Sequence, residues 1–321
     1  MLTIDTSNLC SHLRKKLFSE DGEYHRLWMV VQDDPLPTLK HLNMKYFIVD
    51  AFTSQPFGGN PAGLVLLDGD SFPNEGLMLK VAAELRYSET AFVRILSPKE
   101  YHVRYFTPKA EVELCGHATI ATFSLLYQLR RVEGECLCHT LAGDLRIEVG
   151  EKVMMQMASP RIVGTIPDTE EIYRAIGVMD YQPMLPVQIA YSGLPDIMIP
   201  LRDVSILQSL KPDMEAIKAI TRKYETVSFH VFAFAGDGYT AHVRDFAPLY
   251  DIPEESATGT ANAALTHYLQ QNGRIPSTGD FSFLQGEAMG RPSIVTSRVT
   301  PDGVIYVGGT ATIMALGELK V

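Results

Sequence analysis

A chain of 321 residues, 46% hydrophobic and 21% charged, has the composition of a folded globular protein and the length for two domains. Its formal net charge of -10 disfavours nucleic acid or an anionic membrane as partner, yet leaves room for a small anion held by local backbone N–H groups. No apolar run approaches the roughly 18 residues of a membrane span, and the N-terminus lacks the basic-then-apolar order of a secretory signal.

Residues 1–43 form a charged extension, "CSHLRKKLFSEDGEYHRLW", ending in the turn or linker "DDPLPT". It reads as a disordered appendage or as a start codon placed too early. From Met44 the pattern becomes strand-rich. "KYFIVDAF" is a strand, and "FGGNPAGLVLL" is a Gly/Pro turn leading into a second. "SFPNEGLMLKVAAEL" reads as a helix with Ser71 as N-cap and Leu77, Val81 and Leu85 at helical spacing. "ETAFVRIL" and "YHVRYF" return to strand, "GHATIATFSLLYQLRR" is a helix, and "LRIEV" and "KVMMQM" are strands. In the second half, "PVQIAYSGLPDIMIPL" gives two strands around a Ser-Gly turn and "DMEAIKAITRKY" a helix. "SFHVFAFA" and "YTAHVRDFAP" are strands, a helix starts at Gly259, and "RPSIVTSRV" and "GVIYVGGTATIMALGEL" are terminal strands.

"HVRYFTP" at His102 returns as "HVRDFAP" at His242, identical at five of seven positions. Aligning Gly116 with Gly259 brings Ala118, Ala121 and Leu126 into step with Ala261, Ala264 and Leu269. The offset grows by three residues, the size of a loop insertion. A period this long indicates a duplicated domain rather than a solenoid. The expectation is an α+β fold of two pseudo-symmetric domains, 44–155 and 156–321, whose last strands are free to return to the first. Each has many strands around one largely apolar helix, and such helices are buried.

Equivalent parts of facing halves line the cleft between them, a common ligand site. The junctions "CGHAT" and "TGTAN" each open a helix, whose free N–H groups and dipole suit a carboxylate or phosphate. His117 at the first junction should have a lowered pKa, giving a neutral imidazole, and Cys115 should be an acidified thiol. The counterpart of Cys115 is Thr258, whose hydroxyl is too weak an acid-base group to replace a thiol in a two-base epimerase. Glu89 in "YSETAFV" is a candidate general acid-base, and Glu254 and Glu255 in "IPEESATGT" are a second pair. A solvated loop or a helix-dipole contact would explain these carboxylates equally well. The four cysteines (Cys10, Cys115, Cys136 and Cys138) show neither zinc spacing nor a disulfide framework, so no structural metal and a cytoplasmic setting are expected.

Together "DAFTSQPFGGNPAGLVL", "SETAFV", "YHVRYFTPKAEVELCGHAT", "VRDFAPLYDIPEESATGTA", "QGEAMGRPS" and "VGGTATIMALGEL" resemble the phenazine biosynthesis PhzF-like family from about Met44 to the C-terminus. The resemblance implies the diaminopimelate epimerase-like fold: two pseudo-symmetric domains, each a curved, mainly antiparallel sheet or barrel around a central helix. It implies Glu89 as the acid-base group that shuttles a proton in isomerising a dihydro-hydroxyanthranilate, with no metal or cofactor. His117 and Glu255 would assist, the second-junction backbone at Gly259 and Thr260 would hold the substrate carboxylate, and Asn60 and Gly116 would also bind substrate. It also implies a homodimer. The chain departs from the family's "EDPATGS": Glu255 replaces aspartate, Ser256 proline and Thr260 serine. Those changes bear on the substrate more than on proton transfer, since a misplacement near 1 Å in a site can cost a large factor in rate.

Three readings follow. The first is a cofactor-independent isomerase acting on a small carboxylate, without nucleic-acid or membrane partners. The second is a cofactor-independent epimerase or racemase. The third is a non-catalytic binding or scaffold protein of the same fold.

Overall fold

The computed structural model describes residues 43–321; the N-terminal extension, with Cys10, lies outside the described residues. Residues 42–321 form one compact unit. In chain order the first half contains β1 (Asn43–Ala51), β2 (Asn60–Leu67), α1 (Glu75–Leu85), β3 (Thr90–Ser97), β4 (Glu100–Phe106), β5 (Glu111–Val112), α2 (Gly116–Gln128), β6 (Gly134–Thr140), β7 (Gly143–Val149) and β8 (Val153–Gln156). The second contains β9 (Arg161–Thr165), α3 (Glu170–Ala175), β10 (Gln188–Tyr191), β11 (Pro195–Leu201), α4 (Val204–Ser209), α5 (Met214–Lys223), β12 (Phe229–Ala233), β13 (Ala241–Ala247), β14 (Ile252–Glu255), α6 (Gly259–Gln271), β15 (Gly279–Gln285), β16 (Ser293–Val299), β17 (Ile305–Gly309) and β18 (Ala311–Lys320).

Both halves pair their strands by one rule. In the first, β1–β2 is antiparallel, β2–β3 parallel, β3–β4 antiparallel, β4–β6 parallel, and β6–β7 and β7–β8 antiparallel. In the second, β10–β11, β11–β12, β12–β13, β13–β15, β15–β16 and β16–β17 repeat that sequence of senses. The short strands β5 and β14 flank β4 and β13 in the same way. At one end β18 pairs with β1 as β9 pairs with β10. At the other, the equivalent strands β8 and β17 pair with each other and join the halves into one sheet. The fold is α+β and sheet-dominated.

The two equivalent helices α2 and α6 are the centres of their halves. Every residue from His117 to Leu126 is buried, because α2 touches strands from both ends of its own sheet. Each fully buried Leu or Phe there contributes about 1.5–3 kcal/mol. Three threonine hydroxyls on these helices are satisfied locally: Thr119, Thr122 and Thr266 donate to the carbonyls four residues earlier at 2.7–2.8 Å.

The repeated heptad has one structural task in both halves. Arg104 forks onto both oxygens of Glu111 and lies over Phe106; Arg244 forks onto both oxygens of Glu254 and lies over Phe246. The three-residue insertion falls between these partners, where the second copy makes the turn Pro248–Tyr250.

The start of α1 differs from expectation. Asn74, not Ser71, caps it, its side chain accepting the Leu77 N–H at 2.9 Å. The buried face is Met78, Val81 and Ala82, while Leu77 and Leu85 are only partly covered.

Candidate active site

Glu89 lies between α1 and β3. Its carbonyl accepts the Gly63 N–H at 3.1 Å, extending the parallel β2–β3 ladder by one step and fixing the backbone beneath the carboxylate. Its Oε2 is 3.3 Å from Nε2 of His117, and the side chains are 16% and 5% exposed. The other ring nitrogen, Nδ1, is 3.8 Å from Glu255 Oε1. One buried imidazole therefore stands between two carboxyl groups, one from each half. Ser88 Oγ also lies 3.4 Å from Nε2. Burial lowers the His117 pKa, opposed by the Glu89 charge, so the ring is neutral as expected, with burial the main cause.

Glu255 is placed by residue alternation. Glu254, one position earlier on β14, faces the other side and pairs with Arg244, so of the two candidate glutamates only Glu255 enters the site. Asn60 Nδ2 donates to Glu255 Oε1 and to the Ala257 carbonyl, both at 3.0 Å, tying the first half to the second. Burial pushes the Glu255 carboxyl up to about 8, with the Asp245 charge adding to it and the Thr258 hydrogen bond opposing.

The junctions are equivalent in backbone. Cys115 and Thr258 are extended N-caps (φ -138° and -125°), and neither side chain caps its helix, α2 or α6. A Cβ added at Gly116 or Gly259 would make only ordinary contacts, beyond 3.5 Å, and neither glycine has a positive φ. Neither the turn nor the packing demands glycine there. Thr260, half-buried, follows on the first turn of α6.

The expected acidic thiol is corrected. Burial raises the Cys115 pKa well above the usual thiol value, and the Glu89 charge raises it further, so the helix N-terminus does not win. Donor atoms of Glu89, Cys115 and His117 lie within 4.8 Å of one another. A protonated thiol and a carboxylate already beside the imidazole make this a poor metal cage, and we assign no metal to it.

Residue motifs missed what lies behind Glu255. Thr258 Oγ1 is 2.8 Å from Glu255 Oε2 and 3.2 Å from Asp245 Oδ2, and Gln285 Nε2 donates to it at 3.1 Å. Asp245 sits where the first heptad has Tyr105, on a strand whose seven residues are all buried. An acidic residue where the first repeat has a tyrosine was the signal available.

The family model described as phenazine biosynthesis-like protein matches residues 49–317. An "uncharacterized isomerase" of Deinococcus radiodurans is 37% identical over 288 residues, 84% of this chain and 92% of the relative. The trans-2,3-dihydro-3-hydroxyanthranilate isomerase of Pseudomonas chlororaphis is 32% identical over 263 residues, 79% of this chain and 89% of that one. Among solved structures, the Bacillus anthracis phenazine biosynthesis protein of the PhzF family superposes with a TM-score of 0.79 at 26% identity, covering 87% of this chain and 99% of its own. A hydroxyproline epimerase of Agrobacterium vitis shares the fold alone, with a TM-score of 0.57 at 12% identity over 87% of this chain and 93% of its own. The chain belongs to the phenazine biosynthesis-like (PhzF) family and, like the Deinococcus and Pseudomonas relatives, is an isomerase.

Proposed function

We propose that the protein moves a proton between two carbons of a small carboxylate-bearing substrate, without metal or organic cofactor, in the cleft between its halves. Glu89 takes the proton as a carboxylate and returns it at the second carbon. Neutral His117 orients Glu89, and Glu255, protonated at neutral pH, donates a hydrogen bond to the charge that develops on the substrate. Backbone N–H groups at Gly116, His117, Gly259 and Thr260 take the substrate carboxylate, each helix N-terminus being free of a side-chain cap. No atom is gained or lost, as an isomerisation requires.

The observation that carries this reading is the placement of His117 between Glu89 and Glu255, contributed by opposite halves. One carboxyl held as an acid beside a second carboxyl is the arrangement acid-base catalysis uses. The substrate named for the Pseudomonas relative supports a cyclic, unsaturated amino- or hydroxy-carboxylate as the class. Glu255, one methylene longer than the usual aspartate, supports a substrate that differs from that of this relative. A dithiol epimerase is disfavoured, since Thr258 has no acidic proton and Cys115 holds its own. The free thiols of Cys115, Cys136 and Cys138 accord with a cytoplasmic setting.

The test is solvent exchange in heavy water, read by mass spectrometry, with a panel of cyclic and amino-acid-like carboxylates. Wild type should incorporate deuterium into at least one compound, and Glu89→Gln should lose this by about 10²–10⁴-fold with binding retained. Binding without exchange in wild type would instead favour the scaffold reading.

A further inference from the structure

Behind Glu255 runs a chain of three carboxyl groups bridged by two hydroxyls. Ser228 Oγ lies 2.9 Å from Asp196 Oδ1 and 2.7 Å from Asp245 Oδ1, and Thr258 Oγ1 joins Asp245 to Glu255. His230 Nδ1 meets Asp245 Oδ1 at 2.8 Å. Asp196, Ser228, His230 and Asp245 are each at most 2% exposed. The residues come from β11, the turn into β12, β12 itself and β13, whose pairing brings them together.

A hydroxyl has one proton to donate. Each bridging hydroxyl touches two carboxyls, so it donates to one and must accept from the other, which is therefore protonated. Asp245 has three donors around it: Ser228, His230 and Thr258. Asp196 Oδ2 has no partner among the described residues, and a buried carboxylate oxygen left so would be costly. Asp196 is then the neutral acid, donating to Ser228. Between Asp245 and Glu255, the charge is disfavoured on Glu255, which faces Glu89 across His117. This pattern also completes Thr258: its oxygen accepts from Gln285 and Glu255 and donates to Asp245.

We propose that Asp245 is a positioning residue, a buried carboxylate that acts through Thr258 to hold Glu255 in its protonated form, with the proton resting against Thr258 until a substrate draws it away. When Glu255 lends its proton to a substrate, Thr258 turns its hydroxyl to the new carboxylate. The repulsion between Glu255 and Asp245 then drives the proton back to Glu255, so the chain ends each cycle as it began. Only the first half's tyrosine occupies the equivalent position, so one wall of the cleft has this device. The titratable groups facing Glu255 are Glu89, Cys115, His117 and Asp245, with Asp196 beyond; those facing Asp245 are Asp196, His230 and Glu255. The charge pattern is independent of the isomerase reading; only the loan to a substrate rests on it.

The experiment titrates Glu255 without substrate, by carbon NMR of the full chain labelled at the glutamate carboxyl and assigned with Glu255→Gln. The wild-type signal should titrate near 8. In Asp245→Asn the midpoint should fall by about one pH unit or more, whereas Asp196→Asn, an isostere of an already neutral acid, should leave it in place. A wild-type midpoint in the ordinary carboxyl range, or one that Asp245→Asn does not lower, overturns the proposal. If Asp245→Asn fails to fold, the other two samples decide: a midpoint lowered by Asp196→Asn puts the charge on the wrong residue. Absence of solvent exchange with an intact titration would sink the isomerase reading alone.

Discussion

Arg244 holds both oxygens of Glu254 at 2.8 Å, and strand alternation then sends Glu255 the opposite way, toward His117. The ion pair is 10% and 14% exposed, so deleting one partner strands a largely desolvated charge. Arg244→Met should cost about 3 kcal/mol in denaturant unfolding. Arg244→Met with Glu254→Leu should recover much of that loss, and solvent exchange should track whether β14 keeps its register.

Cys115 should be chemically quiet. Its thiol is buried and raised, first by burial and then by Glu89; burial likewise pushes Cys136 up to about 12 and Cys138 higher still. In native protein near neutral pH, iodoacetamide should leave these three unlabelled by mass spectrometry, and urea should expose them. Cys115→Ser should reduce solvent exchange by less than about tenfold, the result expected when the thiol is not the base. Rapid native alkylation at Cys115 would restore the thiol-based epimerase.

Much of this was legible in local sequence. The site residues Glu89, His117 and Glu255 fall in short motifs, and Gly116 and Gly259 follow from the repeat. The Asp245 chain was not, because Asp196, Ser228 and His230 reach it only through the β11–β12–β13 register, in links that span 15 to 32 residues. The shorter elements were hidden for other reasons. β9 has no fully buried residue, so its alternation has no apolar face to read. Helices α3 and α4 are six residues each, too short for a helical period to show. In β6, a glycine and a glutamate at its start blur an alternation that buries Cys136 and Cys138 on one face.

Stability should fall as pH rises through the Glu255 range. Its carboxyl is raised from 4.5 to about 8, so the folded state binds that proton more tightly than the unfolded chain. Its contribution is complete below 4.5 and is lost progressively up to about 8. Over that window wild type should lose up to about 1.4 kcal/mol per pH unit relative to Glu255→Gln. Asp196 is raised in the same direction and leaves both proteins a common residual slope. Urea unfolding at several pH values checks this; parallel curves for the two proteins would refute it.

The seam between the halves is sterically exact at Gly308. A Cβ there would lie 1.7 Å from the Val153 carbonyl oxygen, backbone that cannot move aside without breaking the β8–β17 pairing. Gly308→Ala should therefore cost at least about 3 kcal/mol. Exchange activity should fall with it, because the two carboxyls beside His117 come from opposite sides of the seam. An alanine variant of native stability would show that the strands can part there.

The seam also bears on descent. Two unlinked copies meeting through one strand about a two-fold axis would present identical side chains to both walls of the cleft. Once the copies share a chain, a change on one wall is no longer copied onto the other. Tyr105 and Cys115 on one side then stand opposite Asp245 and Thr258 on the other. Covalent fusion is thus what permits a symmetric scaffold to hold an asymmetric pair of walls.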